Sequence, residues 1–307
     1  VNTEYQDQTG YVHGIYTSLS ANRSSFLDRA RTASEITIPS LLPEQGHTGS
    51  SILPTPYQSI GAEGINNLAS KLLLSLLPPS SPFFRLVIDD AELEALVADQ
   101  KGEVEEALAK IERMVTQEIE VRAFRVPISE ALKQLLVAGN VLLYLPPKEQ
   151  MRVFRLDRYV VKRDSMGKVL KIVIKESLSP LSLPENAKKL LPKAEEYELP
   201  MGSVDLYTCI KWTGKNWTIL QELEGQIVPG SEGSYPKNKN PFLALRFTHI
   251  DGEDYGRGFV EEYIGDLKSL ETLTKAIVEG SAAAAKVLFL VKPNGTTRIK
   301  TLADSPN

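Results

Sequence analysis

Along the first 139 residues the apolar positions recur with a helical period, and over the next hundred or so the period falls to two. From Ile15 to Ile36, residues Leu19, Arg23, Phe26, Arg29 and Ala30 are helically spaced, which predicts an amphipathic helix that Pro39 brings to an end. The following PSLLPEQGHTGSSILPTPYQS is rich in Pro, Gly and Ser and predicts an irregular surface loop. From Gly64 to Leu77 apolar residues fall on all sides of the wheel. This predicts a helix buried among other elements and stopped by Pro78 and Pro79. In 91–121 the stripe Val104, Leu108, Ile111, Val115 and Ile119 lies opposite glutamates and lysines and predicts a half-exposed helix after Gly102. Pro127 suits a first helical position, Ile128, Ala131, Leu132 and Leu135 form a short stripe, and Gly139 suits its C-terminal cap.

After Asn140 the segments VLLYL, RVFRLDRYVV and KVLKIVIKE predict a strand and then a hairpin turning at RDSMG. A polar interval follows, then VDLYTCIKW, the turn TGKN, WTILQEL, the turn EGQ and PFLALRFTHI. Trp212 and Trp217 flank the TGKN turn. The fold class is therefore α+β, with a mainly antiparallel region at 140–250 inserted between helical segments. A last helix is predicted from Gly258 to about Ala285, ~42 Å long at the helical rise. Its stripe is Val260, Ile264, Leu267, Leu270, Thr274 and Ile277, while Glu261, Glu262, Asp266, Glu271 and Glu279 outnumber Lys268 and Lys275. Glu261 and Glu262 lie in the first turn, where carboxylates offset the exposed N–H dipoles. The run Ala282–Ala285 permits close approach of another backbone.

Length and composition narrow the function by exclusion. At 307 residues the chain allows one large domain or two to three segments with separate cores, and 42% hydrophobic residues supply the apolar area for them. A net charge of −4 argues against tight, sequence-independent nucleic-acid binding, which needs basic residues to displace counterions. The single cysteine, Cys209, excludes an internal disulfide or multi-thiolate metal site. The densest apolar run, Leu72–Leu77, is far shorter than the roughly 20 residues that span a bilayer, and VNTEYQDQTG has no signal-peptide pattern. The terminal TLADSPN follows a strand-like segment with nothing to close it, as though the chain stopped inside a fold.

Candidate chemistry is sparse. His13, His47 and His249 have no partner at metal-ligand spacing, so no metal or other cofactor is expected, and His249 with Asp251 lacks any nucleophile elbow to serve. GEDYGRG has glycines but not the lysine and hydroxyl of a phosphate-binding loop. Glu262 and Asp266, four residues apart on one helix face, could form a general acid and base pair, which leaves a metal-dependent hydrolase acting on DNA as the alternative function.

TIPSLLP at 37–43, TPYQSIGAEGINNLASKLLLSLLPP at 55–79, EALKQLLVAGNVLLYLP at 130–146, YVVKRDSMGKVL at 159–170 and DGEDYGRGFVEEYIGDLKSLETLTKAIVEGS at 251–281 resemble, in the same order, the head-to-tail connector (portal) proteins of T7-like short-tailed phages. The resemblance implies a non-enzymatic, ring-forming subunit, typically one of a dodecamer. Residues 1–255 would be its wing (helical 1–139, β-rich 140–250), 256–285 its first stem helix, and 286–307 the start of its clip. The second stem helix, tunnel loop and crown would lie outside this sequence. It also implies a place at the portal vertex of the virion, after assembly in the bacterial cytoplasm. The partners implied are double-stranded DNA in the channel, major capsid protein, scaffolding protein, terminase, tail adaptor and internal core proteins, with no membrane. On this reading the five carboxylates line a channel whose charge, multiplied twelvefold to roughly −36, repels phosphates. Val260, Ile264, Leu267, Leu270 and Ile277 would then form the seam between neighbouring stem helices.

Overall fold

The computed structural model describes residues 10–47, 49–79, 82–87, 98–147, 149–191 and 202–286. Helix α1 (Tyr11–Glu35) starts four residues before the predicted Ile15, because a carboxylate from a distant strand caps it: the Val12 and His13 N–H groups donate to Glu222 at 2.6 and 3.1 Å. After a 3₁₀ turn at Pro39–Leu41 and the predicted irregular loop, helix α2 (Ile60–Leu76) begins at the Gln58 side chain, which donates to Ile36 O and accepts from Gly61 N. Burial on all sides of α2 is not observed. Only Gly61, Ile65 and Ala69 are buried, and Leu74 and Leu76 are more than half exposed, because helices cover one side of α2 only.

Helix α3 (Ala98–Val121) turns through Ala123, at φ 51°, into α4 (Arg125–Ala138). Pro127 is the third residue of α4, not the first, a position whose missing N–H has no intrahelical partner either. Gly139 caps α4 in the left-handed conformation, as predicted, its N–H reaching Leu135 O.

The strands form two sheets. In the smaller, β1 (Asn140–Tyr144) lies between β2 (Arg152–Phe154) and β9 (Phe242–Arg246), antiparallel to both. The larger runs β3 (Tyr159–Arg163), β4 (Val169–Leu178), β5 (Val204–Trp212), β6 (Asn216–Leu223), β7 (Gln226–Ile227), with β8 (Gly233–Pro236) also on β6. RVFRLDRYVV is therefore not one strand. A 3₁₀ turn at Leu156–Arg158 carries the chain from one sheet to the other, held by the buried Arg23, whose guanidinium donates to Leu156 O and Tyr159 O at 2.9 and 2.6 Å. Both predicted hairpins are present, with Trp212 directly opposite Trp217. Strand β8 was not legible in its Gly-Ser-Tyr-Pro composition. It pairs because Gly233 leaves room for Ile219, whose methyl a Cβ there would meet at 2.8 Å.

The largest core cluster joins Leu27 and Ala30 of α1 to Leu142, Tyr159, Ile172 and Ile210 of the two sheets. A smaller one joins α1, α2 and α4 through Ala33, Ile65, Ala69 and Leu136. A one-turn helix α5 (Glu185–Lys188) packs Ala187 against Leu206 and Leu223 at the far side of the larger sheet. The last element, α6 (Val260–Ala284), is one continuous helix, as its unbroken stripe predicts.

Candidate functional site: the root of the long helix

The segment between β9 and α6 contains the glycines that suggested a phosphate loop. Two of them, Gly256 and Gly258, serve close backbone contact instead. A Cβ on Gly258 would lie 2.4 Å from Val137 O, one on Gly139 would lie 2.3 Å from the Arg257 carbonyl carbon, and one on Gly256 would lie 2.9 Å from Gly139 O. Two stretches of backbone more than a hundred residues apart thus touch without side chains between them. Asn140, buried beside them, pairs across the contact like a backbone unit: its Nδ2 donates to Gly256 O at 2.8 Å and to Ala138 O at 3.0 Å, and its Oδ1 accepts from Gly256 N at 2.7 Å. Thr248 and Arg257 exchange backbone hydrogen bonds, and Phe247 N donates to Gly139 O.

The preceding acidic residues fasten the same loop to the larger sheet. Asp254 accepts from Arg163 N at 2.7 Å and from Lys162 Nζ at 2.9 Å. Tyr255 is buried against Phe26, and its hydroxyl accepts from Val161 N at 3.0 Å; burial pushes that hydroxyl up to about 12. Arg257 reaches Glu253 at 3.0 Å and Glu261 at 3.8 Å. His249 and Asp251 are exposed, with no hydrogen bond between them.

From this root α6 leaves the body. Val260 is 3% exposed in the chain's own core and so is not free for a seam between subunits. Ile264 and Leu267 pack partly against the same core, which leaves Leu270 and Ile277 as stripe residues on the more open length. Every residue from Lys275 to Lys286 is exposed, among them Ile277 and Val278, as is Leu273 one turn earlier.

The five carboxylates separate into two groups. Glu261 closes the first turn, accepting from Gly258 N and facing Arg29 and Arg257. Glu271 accepts from two backbone N–H groups of the proline loop, Tyr57 at 3.0 Å and Gln58 at 3.3 Å, while Tyr57 Oη lies 3.5 Å from Glu279, which also faces Lys275 at 4.0 Å. The Glu262 and Asp266 side chains are exposed and have no hydrogen bond or ion pair among the described residues. Among those residues no three His, Cys, Asp or Glu side chains converge as metal ligands, and no helix is long and apolar enough to cross a membrane.

A model of the family described as "Bacteriophage head to tail connecting protein" matches residues 10–305. The chain belongs to that family. It is 41% identical over 297 residues to the portal protein of Escherichia phage T7, covering 94% of this chain and 55% of the relative. Identity to the portal protein of Enterobacteria phage T3 is 41% over 295 residues, again 94% and 55% of the two chains. With the portal protein of Enterobacteria phage SP6 it is 30% over 320 residues, 98% and 59%. The chain thus spans a little over half the length of these relatives.

For a member of this family, the placement of the stretches that carried the resemblance is informative. Residues 130–146 and 251–281 are the two halves of the root contact, and 159–170 is the hairpin that Asp254 and Tyr255 grip. Sequence reasoning missed Asn140, Arg23 and the capping role of Glu222, because each serves a backbone group distant in sequence. A polar residue directly after a helix-capping glycine, opening an apolar strand, was the one available sign for Asn140.

Glu271 offers a local test of how α6 holds the proline loop. Glu271→Ala removes both acceptors and should free the Tyr57–Gln58 backbone at a cost of about 1–2 kcal/mol. Hydrogen exchange at those two amides should then speed up by roughly 5- to 30-fold, with amides of the larger sheet unchanged. Unchanged exchange at Tyr57 would show that the loop is held by other contacts.

Proposed function

We propose that this chain is the wing and first stem helix of a portal (head-tail connector) subunit, a non-enzymatic structural protein. Copies form a ring, a dodecamer by resemblance, at one capsid vertex, through which double-stranded DNA is packaged and ejected. Residues 1–255 are the wing, 256–285 the first stem helix and 286–307 the start of the clip; 287–307 lie outside the described residues. The ring meets major capsid protein, scaffolding protein, terminase, tail adaptor and internal core proteins, assembling in the host cytoplasm and residing in the virion.

The observation that carries this reading is a single long helix, rooted backbone to backbone in a mixed body, whose last turns are exposed and, among the described residues, meet their own chain only at Tyr57. A helix held firmly at one end with Leu273, Ile277 and Val278 exposed at the other is stable when identical helices stand beside it. Family membership supports the same reading. Negative-stain images of the full-length protein should show closed rings; monomers at micromolar concentration in near-physiological salt would overturn it.

The channel surface has its own test. From Gly258 to Ala285 five acidic and two basic residues give each helix −3. Glu261 and Glu271 hold the fold and are left in place. Lysine at Glu262, Asp266 and Glu279 reverses the helix to +3. Assembled heads carrying the triple variant should retain DNA at low salt and release it at high salt, as counterion-release binding requires. Equal retention by native and variant heads at low salt would remove these carboxylates from the channel lining.

A further inference from the structure

The larger sheet carries a charge arrangement that the channel reading does not use. Lys162 of β3 lies directly opposite Lys171 of β4, which lies directly opposite Lys211 of β5. Strand alternation puts all three on the face that also bears Val160, Val173 and Cys209, the face that α1 covers through Val12 and Tyr16. The lysines continue that face beyond α1. With Ile15, Leu19, Leu170 and Trp212 they line an open groove of about 1120 Å³. Like charges directly opposite on adjacent strands oppose the pairing that holds them. Asp254 relieves Lys162, but no carboxylate reaches Lys171, which stands between the other two, among the described residues. The groove is therefore built for an occupant with both negative charge and apolar surface.

We propose that the occupant is helix α3 of a neighbouring copy of this chain. From Gly102 to Val121, α3 carries six acidic against two basic residues. Its Ile111, Met114 and Val115 are 47%, 61% and 40% exposed, while Val104, Leu108 and Ile119 are half-buried. Glu103, Glu105 and Glu106 have no hydrogen bond or ion pair among the described residues. A phosphate chain would offer the groove charge alone; on this helix Glu103 and the exposed Met114, eleven residues apart, lie within about 20° of each other on the wheel, so charge and apolar surface share one face. It does not serve its own groove, since α3 runs directly into α4, which packs chiefly on α2, α1 and β1. Groove and helix are different surfaces of one subunit, so the contact is head-to-tail, the kind that closes into rings. This inference rests on the ring reading above and names one of its interfaces.

The test uses the full-length protein. Lys171→Glu with Lys211→Glu, and separately Glu103→Lys with Glu106→Lys, should each weaken ring assembly at least tenfold by sedimentation. Combining all four should restore it. Lys171→Glu alone should leave the unassembled subunit's Tm unchanged or higher, because it relieves the repulsion within the row; a merely structural role for Lys171 would lower it. Chains carrying Ile111→Cys mixed with chains carrying Leu170→Cys should give an intermolecular disulfide within rings. Rings that assemble normally in both charge variants, or that give no crosslink, overturn the contact while leaving the ring reading intact. Full-length protein that forms no rings overturns both. Lysine variants that assemble normally but bind less DNA would assign the groove to nucleic acid and overturn the proposal.

Discussion

Gly139→Ala should destabilise the subunit by roughly 3–4 kcal/mol, and Gly252→Ala by only about 1 kcal/mol, although both glycines have the same left-handed backbone. The conformational cost of a Cβ at positive φ is common to the two sites. What differs is the space: nothing lies within 4 Å of a Cβ at Gly252, whereas at Gly139 it would meet the carbonyl carbon of Arg257 at 2.3 Å and Gly258 N at 2.4 Å. Those atoms belong to backbone on the far side of the contact and cannot rotate away. Relief requires the α4–β1 junction and the base of α6 to separate, which stretches the two hydrogen bonds that join Asn140 to Gly256. The Gly139 variant should therefore lower Tm by on the order of 10 °C and the Gly252 variant by a few degrees. It should also open 251–259 to limited proteolysis. Equal shifts in the two variants would mean that backbone conformation alone, not close approach, explains Gly139. The root of the long helix would then be softer than described.

Removing the Glu222 carboxylate should unfasten the other end of the molecule. Glu222 is fully buried on β6, and its two oxygens take the Val12 and His13 N–H groups of the first turn of α1. With Glu222→Ala two helix-terminal donors, one buried and one part-buried, lose a charged acceptor, at about 1.5–3 kcal/mol for each bond. The favourable charge at the positive end of the helix is lost as well. A total near 4 kcal/mol is expected. Hydrogen exchange should rise first at Val12, His13 and Gly14, and then at Tyr16 and the strand residues beneath it, Val173 and Cys209. Glu222→Gln keeps one acceptor oxygen and should cost about half as much. A loss below about 1 kcal/mol for Glu222→Ala would show that the first turn of α1 holds without its cap.

These two variants act on contacts that the sequence did not disclose, and the reason is physical. Period, proline positions and turn residues report on the few nearest neighbours along the chain. They were sufficient for the four helices before Gly139, for the β3–β4 and β5–β6 hairpins, and for the uninterrupted run of α6. The order of five motif stretches was sufficient for the family, since such a match draws on the whole chain at once. What those patterns could not carry was the destination of each surface. The apolar wheel of α2 reads as buried all round, but helices cover only one side of it. RVFRLDRYVV alternates as one strand would, but Arg23, arriving from α1, satisfies the carbonyls of a turn within it and splits it between two sheets.

The carboxylates of α6 show the same division. Sequence determined that five acidic residues share one helix with two lysines, because composition and helical spacing are local facts. Tertiary structure alone decided that Glu261 and Glu271 are spent on Arg29, Arg257 and the amides of Tyr57 and Gln58, and that Glu262 and Asp266 remain open to solvent. A carboxylate's partner is whatever donor the folded chain brings within about 3 Å, and donors here come from more than two hundred residues away. Likewise the sequence showed only that GEDYGRG lacks the lysine and hydroxyl of a phosphate loop, and the fold alone shows that Gly256 and Gly258 admit the backbone of Val137–Gly139.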